Sequence, residues 1–251
     1  MKKLGMAPGR VVAPMERMVA ESVLCSTALV SLHVDFDPKM LEDLFKTASY
    51  DLQSEPFSGF STLANSPFLA VGPGLYRVIC KISQLCRRAP LRPEDQTSVD
   101  VLAEELRSTI ASMDRALTLE PDAETQRKIL PSKLYTVSAN IMLYKLQHPS
   151  VHASHVWIQR QVREAIDIVQ SLPNPFSPSQ YLCWPMYIVG CAVVRDEDVV
   201  FVRGTLQSLW EGSYCGDLTR AARALETIWA AEDGEPSGLD MLLQRRSSLY
   251  Q

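Results

Sequence analysis

Apolar residues in this chain recur at steps of three and four, segment after segment, and no comparable stretch alternates polar and apolar residues with a period of two. Leu75, Val78, Ile79, Ile82, Leu85 and Cys86 keep that step, as do Val99, Leu102, Leu106, Ile110, Met113 and Leu117. It returns in Ile158, Val162, Ile166 and Val169, in Val199, Val202, Leu206, Leu209 and Trp210, and in Leu218, Ala221, Ala222, Leu225, Ile228 and Trp229. A helix lays such positions along one face, whereas a strand scatters them over two. The chain therefore reads as all-α, a multi-helix array of about eight to ten amphipathic helices. Its 251 residues, 46% of them hydrophobic, are enough to enclose a single core.

Turn-forming residues punctuate the periodic segments in "DFDPK", "SEPFSGFSTLANSPF", "RRAPLRPED", "TLEPDAE", "QHPS", "LPNPFSPSQ", "RDED", "EGSYCGD" and "EDGEPSG". No unit repeats at a fixed period, which disfavours a solenoid of identical modules. Residues 1–14 carry Pro, Gly and basic residues without period and read as a mobile leader, leaving 15–251 as one helical domain. The run "MVAESVLCSTALVSLHV" is interrupted by Glu21 and is too short for a membrane span, so it reads as a buried helix. Asp196, Glu197 and Asp198 suit the first turn of a helix, and Arg87 with Arg88 suits the last turn of another, each placed to complement the macrodipole.

Two prolines pose specific questions. Pro131, in "RKILPSKLYTV", predicts a break or kink near Leu130, with helix resuming through Leu134, Val137 and Ile141. Pro185, in "WPMYIVGC", would kink a helix that starts near Ser179 but would sit in the first turn of one that starts at Trp184. The second placement is preferred, because a first-turn N–H has no intrahelical acceptor in any case.

Chemistry is sparse. The sequence holds no G-x-x-x-x-G-K-[ST], G-x-G-x-x-G, G-x-S-x-G or H-E-x-x-H, and "VDFDP" is only a distant approach to an aspartate-rich metal motif. A formal net charge of −4 opposes the electrostatic footprint of a protein that grips phosphate backbones by itself. Cys25, Cys80, Cys86, Cys183, Cys191 and Cys215 form no C-x-x-C pair and fall in apolar periodic segments, where a reduced thiol packs as a small hydrophobe. His148, His152 and His155 have spacing that one helical face could turn to zinc, but Pro149 makes His148 a helix end and no further ligand completes the shell. They are read as turn and helix-start histidines, and no catalytic, cofactor-binding or metal-binding residue is assigned. Trp157, Trp184, Tyr187, Trp210 and Trp229 are read as core, with the lining of an interhelical pocket as the alternative.

The stretch "LCWPMYIVGCAVVRDEDVVFVRGTLQSLWEGSYCGDLTRAARALETIWAAED" resembles the C-terminal signature of the fungal-specific regulatory domain that lies behind zinc-cluster modules in fungal transcription factors. Trp184, Pro185, Gly190, Leu206, Gly216, Leu225, Glu226 and Trp229 occupy the signature positions, while Val199 and Asp217 depart from the residues the family commonly has there. "NSPFLAVGPGLYRVICKISQLCRR" resembles an earlier family segment, so the likeness covers residues 65–233. No cysteine pattern of a zinc cluster is present in these residues. The resemblance implies a non-enzymatic regulatory domain, located in the nucleus, that controls transcription of a metabolic or secondary-metabolite pathway. Its implied partners are other transcription factors, further copies of itself or a small apolar effector, with no direct DNA binding by this chain alone, no membrane association and no cofactor. An enzyme of small-molecule metabolism and a helical scaffold are the competing classes.

Overall fold

The computed structural model describes residues 14–32, 34, 36–53, 73–120, 122–172, 182–231 and 238–243. Among them are ten helices and no strand, as the periodicity requires. The predicted leader lies outside the described residues except for Pro14, which opens the first helix. The helices are α1 (Pro14–Val30), α2 (Pro38–Gln53), α3 (Pro73–Arg87), α4 (Pro93–Leu119), α5 (Ala123–Gln147), α6 (Val156–Ser171), α7 (Cys183–Ala192), α8 (Asp196–Ser213), α9 (Gly216–Trp229) and α10 (Gly238–Leu243). Each of the first four begins on a proline, whose missing N–H would have found no acceptor at that position and whose fixed φ already suits a helix. No described helix is long and apolar enough to cross a membrane.

Of the two outcomes expected at Pro131, the break does not occur. The proline stands inside α5, which continues unbroken from Ala123 to Gln147. An interior proline costs roughly 3 kcal/mol through its lost hydrogen bond and its clash with the preceding turn. Burial of Leu134, Tyr135, Val137, Ala139, Ile141 and Met142 on the same helix supplies enough apolar contact to hold the rod together across that defect. Pro185 follows the preferred reading: α7 begins at Cys183, one residue earlier than expected, so the proline falls in the first turn among the orphan donors.

Two helices form the centre. All ten residues of α7 are buried, which explains why its sequence is apolar on every side rather than striped. α5 lies against α3, α4, α6, α7 and α10. Where these two meet, Trp184 of α7, with no exposed surface, stacks on Tyr135 of α5 at a centroid distance of 5.5 Å, and Tyr135 meets Tyr76 of α3 edge-on at 5.6 Å. The aromatic assignments divide accordingly. Trp184 and Tyr187 are core, whereas Trp157, Trp210 and Trp229 are half-buried and pack against its margin.

The signature residues account for the packing of α7, α8 and α9. A Cβ on Gly190 would come within 2.5 Å of a Leu225 methyl carbon, so the glycine is what lets α9 approach α7. The Trp229 indole N–H donates to the Gly190 carbonyl at 2.9 Å. Arg203 of α8 lies 5.2 Å from the centre of the Trp229 ring and donates twice to Glu226, at 2.6 and 2.8 Å. Asp198, read from sequence as a dipole cap, is in addition a buried carboxylate clasped by Arg195 at 2.8 Å and Arg163 at 3.3 Å.

α10 closes the array through Gly238, where an added Cβ would meet the Cys191 carbonyl oxygen at 2.6 Å and its Cα at 2.9 Å. Because that neighbour is backbone, Gly238→Ala is expected to destabilise the protein by about 1–3 kcal/mol in denaturant titration. Gly204→Ala on α8 meets nothing within 4 Å and should stabilise it by roughly 0.5–1 kcal/mol through helix propensity. The hydrogen bonds from Arg203 hold the Glu226 carboxyl below the usual carboxylate range, against a smaller opposing effect of burial. A lowered folded-state pKa stabilises above the unfolded value of about 4.3 and is lost as pH falls through the folded value. The stability difference between the native protein and Glu226→Gln, measured by thermal unfolding, should therefore be present at neutral pH and vanish in acid.

Candidate ligand-binding groove

Between α4 and α5 the described residues line a hollow of about 430 Å³. α4 contributes Ala103, Arg107, Ile110, Ala111 and Asp114, a stripe one helical face produces at steps of four, three, one and three. α5 contributes Asn140, Leu143, Tyr144 and Gln147 at the same kind of spacing, and Trp157 of α6 completes the wall. The two alanines leave the width of the slot, and Ile110 and Leu143 give it an apolar lining. Volume and mixed lining fall within the range of sites that hold small molecules.

The aromatic wall is built by the connection between α5 and α6. Tyr144 stacks on Trp157 at 4.1 Å with the rings 18° apart, and His148 and His155 lie 4.5 and 5.8 Å from the same tyrosine ring. Lys145, only 2% exposed, supports that connection from beneath. Its ammonium donates to the carbonyls of Pro149 at 2.6 Å and Val151 at 2.8 Å and pairs with Asp240 of α10 at 2.5 Å, which matches three donors to three acceptors. The histidines keep the roles expected of them: His148 follows the end of α5, His152 binds the Ser154 hydroxyl at 2.9 Å, and His155 caps α6 by accepting from the Trp157 N–H. No group of His, Cys, Asp or Glu among the described residues could hold a metal ion.

Polar groups on the groove divide into engaged and open ones. Asp114 is paired with Lys133 at 2.9 Å, and Lys133 also reaches Glu164 at 3.0 Å. Burial disfavours the Lys133 charge, but hydrogen bonds from the ammonium to Asp114 and Glu164, together with their charges, outweigh it and raise its pKa above the ordinary lysine value. It is an anchored cation rather than a nucleophile. Arg107 is joined to Glu104 through one of its nitrogens. The Asn140 and Gln147 carboxamides, the Tyr144 hydroxyl and the Trp157 indole N–H form no hydrogen bond with the described residues.

Thiol chemistry lies elsewhere. Burial pushes Cys25, Cys80, Cys86 and Cys191 up to about 12, and Cys183 well above the ordinary thiol value. Only Cys215 is partly exposed, and all six are free. Burial, reinforced by Cys25 and Tyr76, likewise raises the Tyr135 phenol well above its usual value. These groups are locked in their neutral forms inside the core, so none is poised as a nucleophile.

Residues 24–244 match the family model described as "Fungal specific transcription factor domain", a span that extends on both sides of the 65–233 stretch read from sequence. No curated protein and no solved structure matches the chain. The sequence resemblance named eight signature residues, yet none of them lines the groove. Of the aromatic residues singled out from sequence, Trp157 alone does so, and the spacing of Asn140, Leu143, Tyr144 and Gln147 was the overlooked signal.

With five thiols buried and one partly exposed, a chromogenic disulfide reagent added to the native protein should consume one thiol promptly, which a Cys215→Ser variant abolishes. All six should react after denaturation.

Proposed function

Because the chain belongs to the fungal specific transcription factor domain family, we propose that it is the regulatory half of a transcriptional control device. In this reading it works in the nucleus, governs genes of a metabolic or secondary-metabolite pathway and performs no catalysis. The observation that carries the proposal is the family match across residues 24–244. A net charge of −4 agrees with DNA contact being made by other protein surfaces than this one.

Regulation then requires something for the domain to sense and something to contact. The α4–α5 groove is the place for a small effector, since its size suits one and its open polar groups need a partner. Contact with another transcription factor, or with a second copy, is assigned to the outward stripe of α1, where Met15, Val19 and Val23 are 66%, 56% and 43% exposed at four-residue spacing. An enzymatic reading is less well supported: the family is not an enzyme family, and the groove offers an anchored ion pair in place of an acid and a base.

Fusion of the intact chain to an unrelated DNA-binding module should change the output of a reporter carrying that module's site, and Val19→Glu should weaken the change. The intact chain by itself should show no base-selective binding to duplex DNA at physiological salt in a gel-shift assay. Tight, sequence-selective binding by the chain alone, or a reporter indifferent to the fusion, would overturn the reading.

A further inference from the structure

The chemistry of the groove restricts what can occupy it, and this inference rests on the effector reading above. We propose that the α4–α5 groove takes a planar, conjugated small molecule whose rim carries carbonyl or carboxylate oxygens.

Planarity follows from the walls. Two helices running side by side, with alanine at positions 103 and 111, leave a slot, and its end is a pair of aromatic rings already stacked 4.1 Å apart. A flat π-system gains stacking and apolar contact there that a compact aliphatic molecule does not. The oxygens follow from the count of hydrogen-bonding groups. Trp157 can only donate, and Arg107 has N–H groups left after its bond to Glu104. The Tyr144 hydroxyl and the amides of Asn140 and Gln147 are also without partners among the described residues, and each can donate. The one carboxylate on the wall, Asp114, is already neutralised by Lys133. Open donors therefore outnumber committed acceptors, and an acceptor-rich ligand satisfies them. A purely apolar effector, expected from the family resemblance, would leave these donors desolvated and unpaired, at a cost to its own affinity.

The probes are 2-naphthoate, which has the flat rings and the oxygens; 2-methylnaphthalene, which has the rings only; and 4-benzoylbenzoate, an aryl ketone acid that crosslinks to nearby C–H bonds under near-ultraviolet light. Calorimetry with the intact chain should give saturable binding of 2-naphthoate and at least about tenfold weaker binding of 2-methylnaphthalene, the difference expected when several donors lose their partners. Arg107→Gln with Asn140→Leu should narrow that gap. Ala111→Phe, which fills the slot at an exposed helix position, should weaken 2-naphthoate to a similar degree while the circular dichroism stays native. Photolabelling of the unmodified chain should fall within residues 103–114 or 140–157 and be suppressed by 2-naphthoate, a result that does not depend on any variant folding. Absence of saturable 2-naphthoate binding, equal binding of both naphthalenes, or labelling elsewhere in the chain would sink the proposal. A reporter that responds to the fused chain while the groove stays empty refutes this inference alone. A groove that binds while the reporter stays silent refutes the regulatory reading alone.

Discussion

The approach of α9 to α7 at Gly190 is the contact on which the C-terminal half depends. A side chain there would occupy the space that the Leu225 methyl groups fill, and interiors packed to crystal-like density have no slack to absorb it. With the two backbones close, the Trp229 indole reaches the Gly190 carbonyl, and its ring is then in position beneath the Arg203 guanidinium. Arg203 in turn holds Glu226. Gly190 of α7 and Leu225, Glu226 and Trp229 of α9 are thus one packing unit, which gives a physical reason for them to occur together as a signature.

That unit is structural, and it leaves the other side of α5 free for a different task. One face of this helix carries Tyr135, whose ring lies between Tyr76 and Trp184; another carries Asn140, Tyr144 and Gln147 into the groove. The helix can serve both because it is anchored at its end by Lys145, whose three acceptors come from the following connection and from α10. A buried ammonium is costly unless every donor is matched. Matching here joins the end of α5 and its following connection to α10 at one point, so the geometry of the aromatic wall is tied to the docking of the last described helix.

Family membership and groove chemistry answer different questions. The match over residues 24–244 assigns the domain to transcriptional control without saying what it senses. The groove, with its stacked rings and open amides, is what the proposed effector chemistry rests on, and it carries no information about the response.

Helical period, turn clusters and first-turn prolines are local properties of the chain, and they determined the all-α class, the placement of α7 around Pro185 and the helix-start role of His155. At Pro131 the same local reasoning allowed a break that does not occur, because the defect is local but the compensation comes from the neighbours that bury the rest of α5. It also treated Trp157 and Trp184 alike, although one lines a groove and the other has no exposed surface. Periodicity reports that a residue lies on an apolar face, but it cannot report which other helix meets that face or how closely. Those distances depend on side chains from segments tens of residues apart, so the groove, the Lys145 junction and the Gly190 contact were decided only when the helices packed.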